Sequence, residues 1–215
     1  MRTLIYLLTF LVVTTTIINL AVSKSSPRLA KAHKLGSIVR LTHDGHTFCS
    51  GTVVNQNTII TARHCVLEET PFGEFINKEP IDIRSESDQF LGVMATAYVA
   101  IAQLDQALLV GDFSRFESRK FVSSVQGLNE FAHYDQTLVA CGYPLGGNLY
   151  CNKLFYQERN LFMWSAHGLL LPGMSGGPVM LEDGTLLAIN IGVERNNAIV
   201  APIYNLDLRF KPEEK

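Results

Sequence analysis

One serine, Ser175, lies inside the glycine-rich stretch "LLPGMSGGPV" at residues 170–179. A hydroxyl is a weak nucleophile unless an adjacent base accepts its proton and a third group orients that base. Backbone N–H groups must also be placed where negative charge develops on the substrate. A turn alone would explain the glycines but not the serine. A reactive Ser175 therefore requires a base, an acid and donors that the rest of the sequence must supply.

The candidate base is His64, in "NTIITARHCVL". The β-branched residues Thr58 to Thr61 predict a strand that runs directly into Ala62 and His64, which places the imidazole at a strand end. A surface histidine is the alternative interpretation. None of the other five histidines has a comparable setting: His33, His43, His46, His133 and His167.

The candidate orienting acid is Asp105, in "VAIAQLDQALLV". Because its neighbours are apolar, its carboxylate must be paired or hydrogen-bonded, and a histidine N–H is a natural partner. A turn aspartate between two strands is the alternative interpretation of the same pattern. Asp82, in "PIDIR", is the second candidate for the acid.

The glycines around Ser175 predict an oxyanion-binding loop. Gly173 lets the chain bend so that the N–H groups of Gly173 and Ser175 point the same way. Gly176 and Gly177 let the backbone pass close behind the serine without a clash at Cβ. We expect Pro178 to begin the outgoing strand.

Four cysteines are present, Cys49, Cys65, Cys141 and Cys151. An even number behind an export signal indicates two disulfides. Pairing of sequence neighbours is one of three possible arrangements, and the spacing does not choose among them. A tetrahedral zinc site is the alternative, although the short ligand spacings of such sites are absent.

The elements that must position these residues are short strands. Runs rich in Val, Ile, Thr and Phe alternate with Gly, Asn, Asp and Pro, which is typical of an all-β barrel or sandwich. "LEDGTLLAINIGV" is the clearest hairpin, with Asp183-Gly184 as its turn. Helical structure is expected only at Ala62–Leu67 and near Tyr204–Phe210.

The N-terminus differs from the rest of the chain. Residues 4–22 carry no charge and follow Arg2, and Ala21-Val22-Ser23 supplies small residues for cleavage after Ser23. We predict a signal peptide over residues 1–23, with an uncleaved membrane anchor as the alternative. Residues 24–34 are polar and basic and indicate a linker.

Composition excludes several function classes. The 215 residues are 47% hydrophobic and have a formal net charge of -2, which indicates a globular domain and disfavours nucleic acid as a partner. No phosphate-binding loop or dinucleotide fingerprint is present. We expect no metal or organic cofactor.

The motifs "CSGTVV", "ITARHCV", "LDQALL" and "PGMSGGPV" together resemble a trypsin-like, chymotrypsin-fold serine protease, from about Gly36 to about Tyr204. The resemblance implies an all-β fold of two antiparallel six-stranded barrels with the active site in the cleft between them. It also implies catalysis by His64, Asp105 and Ser175, an oxyanion hole at Gly173 and Ser175, and a Cys49–Cys65 disulfide. The peptidase domain would span residues 35–215, with barrels over about 35–115 and 120–208.

The departures from the family pattern are informative. Digestive animal members have Asp before the serine, to pair with a new N-terminal amine, whereas this chain has Met174 and lacks an "IVGG" start. The pattern is more similar to bacterial and phage trypsin-like peptidases. Because the sequence ends at Lys215, we expect no PDZ domain. By analogy, Cys141 and Cys151 would close a loop near the oxyanion hole.

The resemblance also implies a substrate pocket. Its base would be Leu169, and its wall would be Asn190, Ile191 and Gly192. Without an acid at the base, we expect a small or medium apolar residue before the scissile bond. Glu194 at the rim is the residue that could reverse this preference.

The interpretation favoured by these residues is an exported serine endopeptidase that acts on polypeptides through an acyl-enzyme. A catalytically silent protease-fold binding module is the alternative, for which Met174 is the main argument. An α/β-hydrolase esterase matches "GMSGG" as text, but it requires the order serine, acid, histidine and a helix after the serine.

Overall fold

The computed structural model describes residues 35–71, 73–77, 79–85, 90–101, 104–117, 136–159 and 163–203. The predicted leader (1–23), linker (24–34) and C-terminal helical piece (Tyr204–Phe210) lie outside this part of the chain. Among the described residues, no helix has the length and apolar character needed to cross a membrane.

The described residues form strands joined by short connections, so the predicted all-β class is confirmed. The strands are β1 (Ile38–His43), β2 (His46–Asn55), β3 (Thr58–Ala62), β4 (Leu67–Thr70), β5 (Gly73–Ile76), β6 (Ile81–Arg84), β7 (Phe90–Ile101), β8 (Gln106–Val110), β9 (Thr137–Gly142), β10 (Tyr150–Arg159), β11 (Trp164–His167), β12 (Pro178–Met180), β13 (Leu186–Glu194) and β14 (Asn197–Pro202). Single 3-10 turns occupy Leu35–Ser37, Arg63–Cys65 and Pro144–Gly146. The helix expected over Ala62–Leu67 is thus only one 3-10 turn that contains His64.

The strands pair into two closed sheets and one hairpin. The first sheet closes in the order β1-β2-β3-β8-β7-β6, and the second in the order β10-β11-β14-β13-β12-β9. β4 and β5 form a separate two-stranded sheet. Closure leaves no strand edge unpaired within either larger sheet, which is how small antiparallel proteins avoid exposed edges.

Turn chemistry explains the hairpins. β12 pairs antiparallel with β13, and Gly184 in the connection adopts a φ of 87°. β13 and β14 are joined through Arg195 and Asn196, whose φ values of 48° and 72° match the left-handed residues of a tight hairpin turn. The predicted hairpin at Asp183-Gly184 is therefore confirmed.

A hydrophobic core lies inside each sheet, and a third joins them. Leu41, Ile59 and Leu109 belong to the core of the first sheet, and Leu154, Trp164 and Val200 to that of the second. The joining cluster combines first-sheet residues with second-sheet residues, including Ile38, Ile60, Leu108, Val139, Leu186, Ile189 and Ala201. The two sheets therefore share buried surface, which fixes the loops of one sheet against those of the other.

Candidate active site

The side chains of His64 and Asp105 meet where two connections of the first sheet converge. His64 lies in the 3-10 turn after β3, and Asp105 lies in the connection between β7 and β8. Nδ1 of His64 is 2.7 Å from Oδ2 of Asp105. The expectation that the Asp105 carboxylate pairs with a histidine agrees with this contact.

Besides the His64 ring, Asp105 also accepts hydrogen bonds from the main chain of the turn that contains His64. Its Oδ1 accepts a hydrogen bond from the backbone N–H of His64 at 3.0 Å, and its carbonyl accepts one from Arg63 N–H at 2.9 Å. Its φ of 46° places it in the left-handed region, where a non-glycine residue needs local support. The carboxylate thus fixes both the turn and the imidazole, and a proton on Nδ1 leaves Nε2 as the acceptor.

The alternative acid, Asp82, lies elsewhere. It is on β6, paired with Thr42, whose Oγ1 donates to the Asp82 carbonyl at 3.2 Å. None of its described hydrogen bonds involves His64.

Ser175 lies in the loop before β12, against the first sheet. Its carbonyl accepts a hydrogen bond from Ser50 N–H of β2 at 2.8 Å, and it lies 3.9 Å from Sγ of Cys65. Cys65 follows His64 directly and is bonded to Cys49. The loop of Ser175 and the turn of His64 are therefore neighbours across the two sheets.

Hydrogen bonds to two carbonyls fix the orientation of two peptide groups in this loop. The carbonyl of Pro172 accepts from Leu145 N–H at 2.8 Å, and that of Met174 accepts from Gly177 N–H at 3.0 Å and Asn190 Nδ2 at 3.2 Å. In a trans peptide the N–H points opposite to the carbonyl. The N–H groups of Gly173 and Ser175 therefore point away from these contacts, and neither has an acceptor among the described residues.

The glycines of the loop permit this packing. A Cβ on Gly176 would overlap Thr61 Oγ1 and the Ser50 carbonyl, and one on Gly177 would overlap the Cys141 carbonyl. Gly173 has a φ of 92°. These contacts agree with the close backbone approach expected from the sequence.

An apolar cavity of 430 Å³ opens beside Ser175. Of the four residues predicted for the substrate pocket, Asn190 and Gly192 line this cavity, and Leu169 and Ile191 do not. Leu169 is 48% exposed and accepts a hydrogen bond from Asn152 through its carbonyl, while Ile191 packs on the core that joins the sheets. These two residues therefore lie outside the lining of this cavity. The lining residues are Leu170, Leu171, Pro172, Met174, Ser175, Asn190, Gly192 and Val193.

All four cysteines are bridged, as Cys49–Cys65 and Cys141–Cys151. The zinc alternative is therefore wrong, because a disulfide sulfur offers no thiolate to a metal. The same argument applies to the group of Cys49, His64 and Cys65, whose ligand atoms lie within 4.8 Å of one another.

Sequence reasoning missed three contributors to this site. Ser50, Leu145 and Thr61 carry no catalytic chemistry of their own, and their partners lie far along the chain. Ser50 Oγ, for example, donates to the carbonyl of Gly173, 123 residues away. Only the quoted motif "CSGTVV" placed Ser50 near a functional element.

The model for the trypsin-like peptidase domain matches residues 49–189, more than half of the chain. No curated protein sequence matches.

Solved proteases share the fold. The inactive form of the Rv3671c protease of M. tuberculosis H37Rv has 17% identity and a TM-score of 0.62, with 83% of this chain and 91% of that chain covered. The serine endoprotease from Yersinia pestis has 16% identity and a TM-score of 0.64, with 83% and 62% covered.

The HtrA-type protease AlgW, with decapeptide, has 14% identity and a TM-score of 0.63, with 81% of this chain and 63% of that chain covered. The chain thus spans less than two thirds of the length of the last two proteins. The all-β fold is chymotrypsin-like. From the match over residues 49–189, the chain belongs to the trypsin-like peptidase domain family and is a serine-type peptidase.

Proposed function

We propose that the chain is a serine endopeptidase whose catalytic residues are His64, Asp105 and Ser175, placed in the cleft between two six-stranded barrels. The observation that carries the proposal is the 2.7 Å contact between His64 Nδ1 and Asp105 Oδ2, with the Ser175 loop packed against the neighbouring disulfide. The peptidase domain would span residues 35–215, with barrels over about 35–115 and 120–208.

The chemistry follows from the proposed roles. Ser175 Oγ attacks the substrate carbonyl while His64 Nε2 accepts the hydroxyl proton, and Asp105 stabilises the imidazolium. The N–H groups of Gly173 and Ser175 donate to the oxyanion of the tetrahedral intermediate. His64 then returns the proton to the leaving amine, and water hydrolyses the acyl-enzyme by the reverse sequence.

Met174 supports turnover rather than a silent binding module. Its side chain is fully buried in the core of the second sheet, and its Sδ lies 3.4 Å from the backbone nitrogen of Leu171. Apolar packing thus stabilises Met174, at the position where digestive members of the family have an aspartate that pairs with the new N-terminal amine. On this proposal the oxyanion loop needs no new N-terminal amine to form.

We propose that the 430 Å³ cavity receives the side chain before the scissile bond and prefers apolar residues. Its lining contains no charged residue, and Leu170 and Met174 are apolar and buried. Glu194, the residue that could favour a basic side chain, is exposed and is not part of the lining. The peptides named with AlgW favour polypeptides as the substrate class for this chain as well.

A panel of peptide substrates tests both proposals. Wild type should cleave peptides with Ala, Val or Leu before the scissile bond at least about 10-fold faster, in kcat/KM, than peptides with Arg or Glu there, because a pocket of this kind cannot pair a charge. Ser175→Ala should cleave none of them. Faster cleavage after Arg would contradict the apolar pocket, and equal cleavage by Ser175→Ala would contradict the nucleophile.

We further infer that the domain works outside the cytoplasm. Both disulfides require an oxidising compartment to form and persist. Export would depend on residues 1–23, either as a signal peptide cleaved after Ser23 or as an anchor. The mass of the exported protein decides between them, since cleavage would leave Lys24 as the first residue.

A further inference from the structure

Ser50 is buried between the two sheets and contacts both ends of the oxyanion loop. It lies on β2 of the first sheet, directly after Cys49, and has no exposed surface. Its Oγ donates to the Gly173 carbonyl at 2.7 Å, and its N–H donates to the Ser175 carbonyl at 2.8 Å. Ser50 thus holds the 173–174 and 175–176 peptide groups, which directly follow the two peptide groups whose N–H groups form the proposed oxyanion hole.

The same hydroxyl also contacts the segment that orients the N–H group of Gly173. Ser50 Oγ accepts a hydrogen bond from Tyr143 N–H at 2.9 Å. Two residues later, Leu145 N–H holds the Pro172 carbonyl, and Leu145 does so with a φ of 52°. A non-glycine residue in that region persists only where the surroundings support it.

Every polar group of Ser50 is therefore hydrogen-bonded. Its hydroxyl is a donor to Gly173 and an acceptor from Tyr143, and its carbonyl accepts from Thr61. A buried hydroxyl with both functions satisfied fixes its partners in one arrangement. Without it, the buried Tyr143 N–H and the partly buried Gly173 carbonyl lose this partner, and the 173–174 peptide is free to rotate toward another donor.

We infer that Ser50 is the positioning residue of the oxyanion loop, and that its hydroxyl keeps the N–H groups of Gly173 and Ser175 directed at the reacting carbonyl. This inference rests on the proposed peptidase function. Ser50 touches no substrate atom in this account and acts only through the loop.

The inference predicts a loss confined to the transition state. Ser50→Ala should lower kcat by at least about 10-fold, toward the roughly 10²–10³-fold loss caused by deleting an oxyanion donor. KM for a peptide substrate should stay within about 2-fold, because the hydrogen bonds from the two N–H groups strengthen only when the substrate carbonyl becomes an oxyanion. The affinity for a peptide aldehyde, which forms the tetrahedral oxyanion, should fall in parallel with kcat.

A matched control lies two residues away on the same strand. Thr52 is also fully buried, and within the part of the chain that the structure describes its hydroxyl has no hydrogen-bond partner. Thr52→Val should leave kcat and aldehyde affinity within about 2-fold of wild type. Ser50→Thr, which keeps the hydroxyl, should restore most of the activity that Ser50→Ala loses.

The experiment measures kcat, KM and aldehyde affinity for the full secreted chain and these variants, each with both disulfides formed. Ser50→Gly removes the same hydroxyl without new atoms and supplies the comparison if Ser50→Ala does not fold. An active wild type with unchanged kcat in Ser50→Ala or Ser50→Gly would overturn this inference alone. An inactive wild type would overturn the proposed function and this inference with it.

Discussion

At the scale of single residues, Asp105 shows how local strain and chemistry coincide. Its left-handed backbone is stabilised by the contacts that orient His64, through the carboxylate and through the main chain. The sequence predicted the pairing because a carboxylate between apolar runs needs a partner. It could not predict the φ of Asp105, which depends on how β7 and β8 meet the turn after β3.

Replacement of this acid gives the first prediction. Asp105→Asn should lower kcat by about 10⁴-fold while the fold persists, because the amide no longer holds the reactive tautomer of His64. Asp82→Asn is the control, since Asp82 is the other acid that the sequence put forward, and its kcat should remain near that of wild type. Steady-state hydrolysis of a peptide substrate measures both, and an equal loss in the two variants would contradict the assignment of Asp105.

The sequence could not predict which non-catalytic residues support the site. Ser50 Oγ and the Gly173 carbonyl are 123 residues apart in sequence, so no local pattern reveals their contact. The pocket residues show the same limit. The resemblance implied Leu169 as the pocket base, but Leu169 is 48% exposed and Leu170 lines the cavity instead.

At the scale of elements, patterns of turn residues carried most of the prediction. Gly184 and Asn196 mark their hairpins because glycine and asparagine tolerate a positive φ. The β4–β5 hairpin was not predicted, since "LEET" and "GEFI" contain few apolar residues and a polar strand lacks the alternation that identifies it. β10 was missed for a similar reason, because Asn152, Lys153 and Gln157 interrupt its apolar positions.

The glycine after the serine offers a test at this scale. Gly176 and Gly45 both have a φ of 80°, but only Gly176 has neighbours that a Cβ would overlap. Gly45→Ala should cost only the backbone strain of about 1–2 kcal/mol, whereas Gly176→Ala should cost more and also displace the Ser175 loop. Denaturant midpoints and the rate of fluorophosphonate labelling measure the two effects. Equal losses of stability with unchanged labelling would show that the loop is not packed as described.

At the scale of the whole molecule, the joining core makes the two sheets interdependent. Buried Gln106, next to Asp105, donates from Nε2 to the Pro202 carbonyl of the second sheet at 2.7 Å. Tyr143 OH of the second sheet's loop donates to the Ile38 carbonyl at 3.1 Å. The sequence indicated many short strands, but the residues that face the other sheet could not be separated from those that face their own.

The joining core predicts that a destabilising substitution in one sheet also lowers the stability of the other. Ile60→Ala in β3 removes a fully buried side chain and should destabilise the protein by about 2–5 kcal/mol. Trp164, the single tryptophan, is buried in the second sheet and reports on its unfolding. Its fluorescence transition should move to lower denaturant in Ile60→Ala. Phe75→Ala, at a position 53% exposed, should leave the transition nearly unchanged, and a Trp164 transition insensitive to Ile60 would contradict a shared core.

The central claim is that Ser175 is a nucleophile activated by His64. Intact mass of the purified protein, before and after incubation with a biotinylated fluorophosphonate, tests it most directly, because only an activated serine reacts with the probe. The account predicts one added probe on wild type, at Ser175, and none on Ser175→Ala or His64→Ala. A folded wild type with both disulfides that takes up no probe would contradict it, as would labelling that persists in Ser175→Ala.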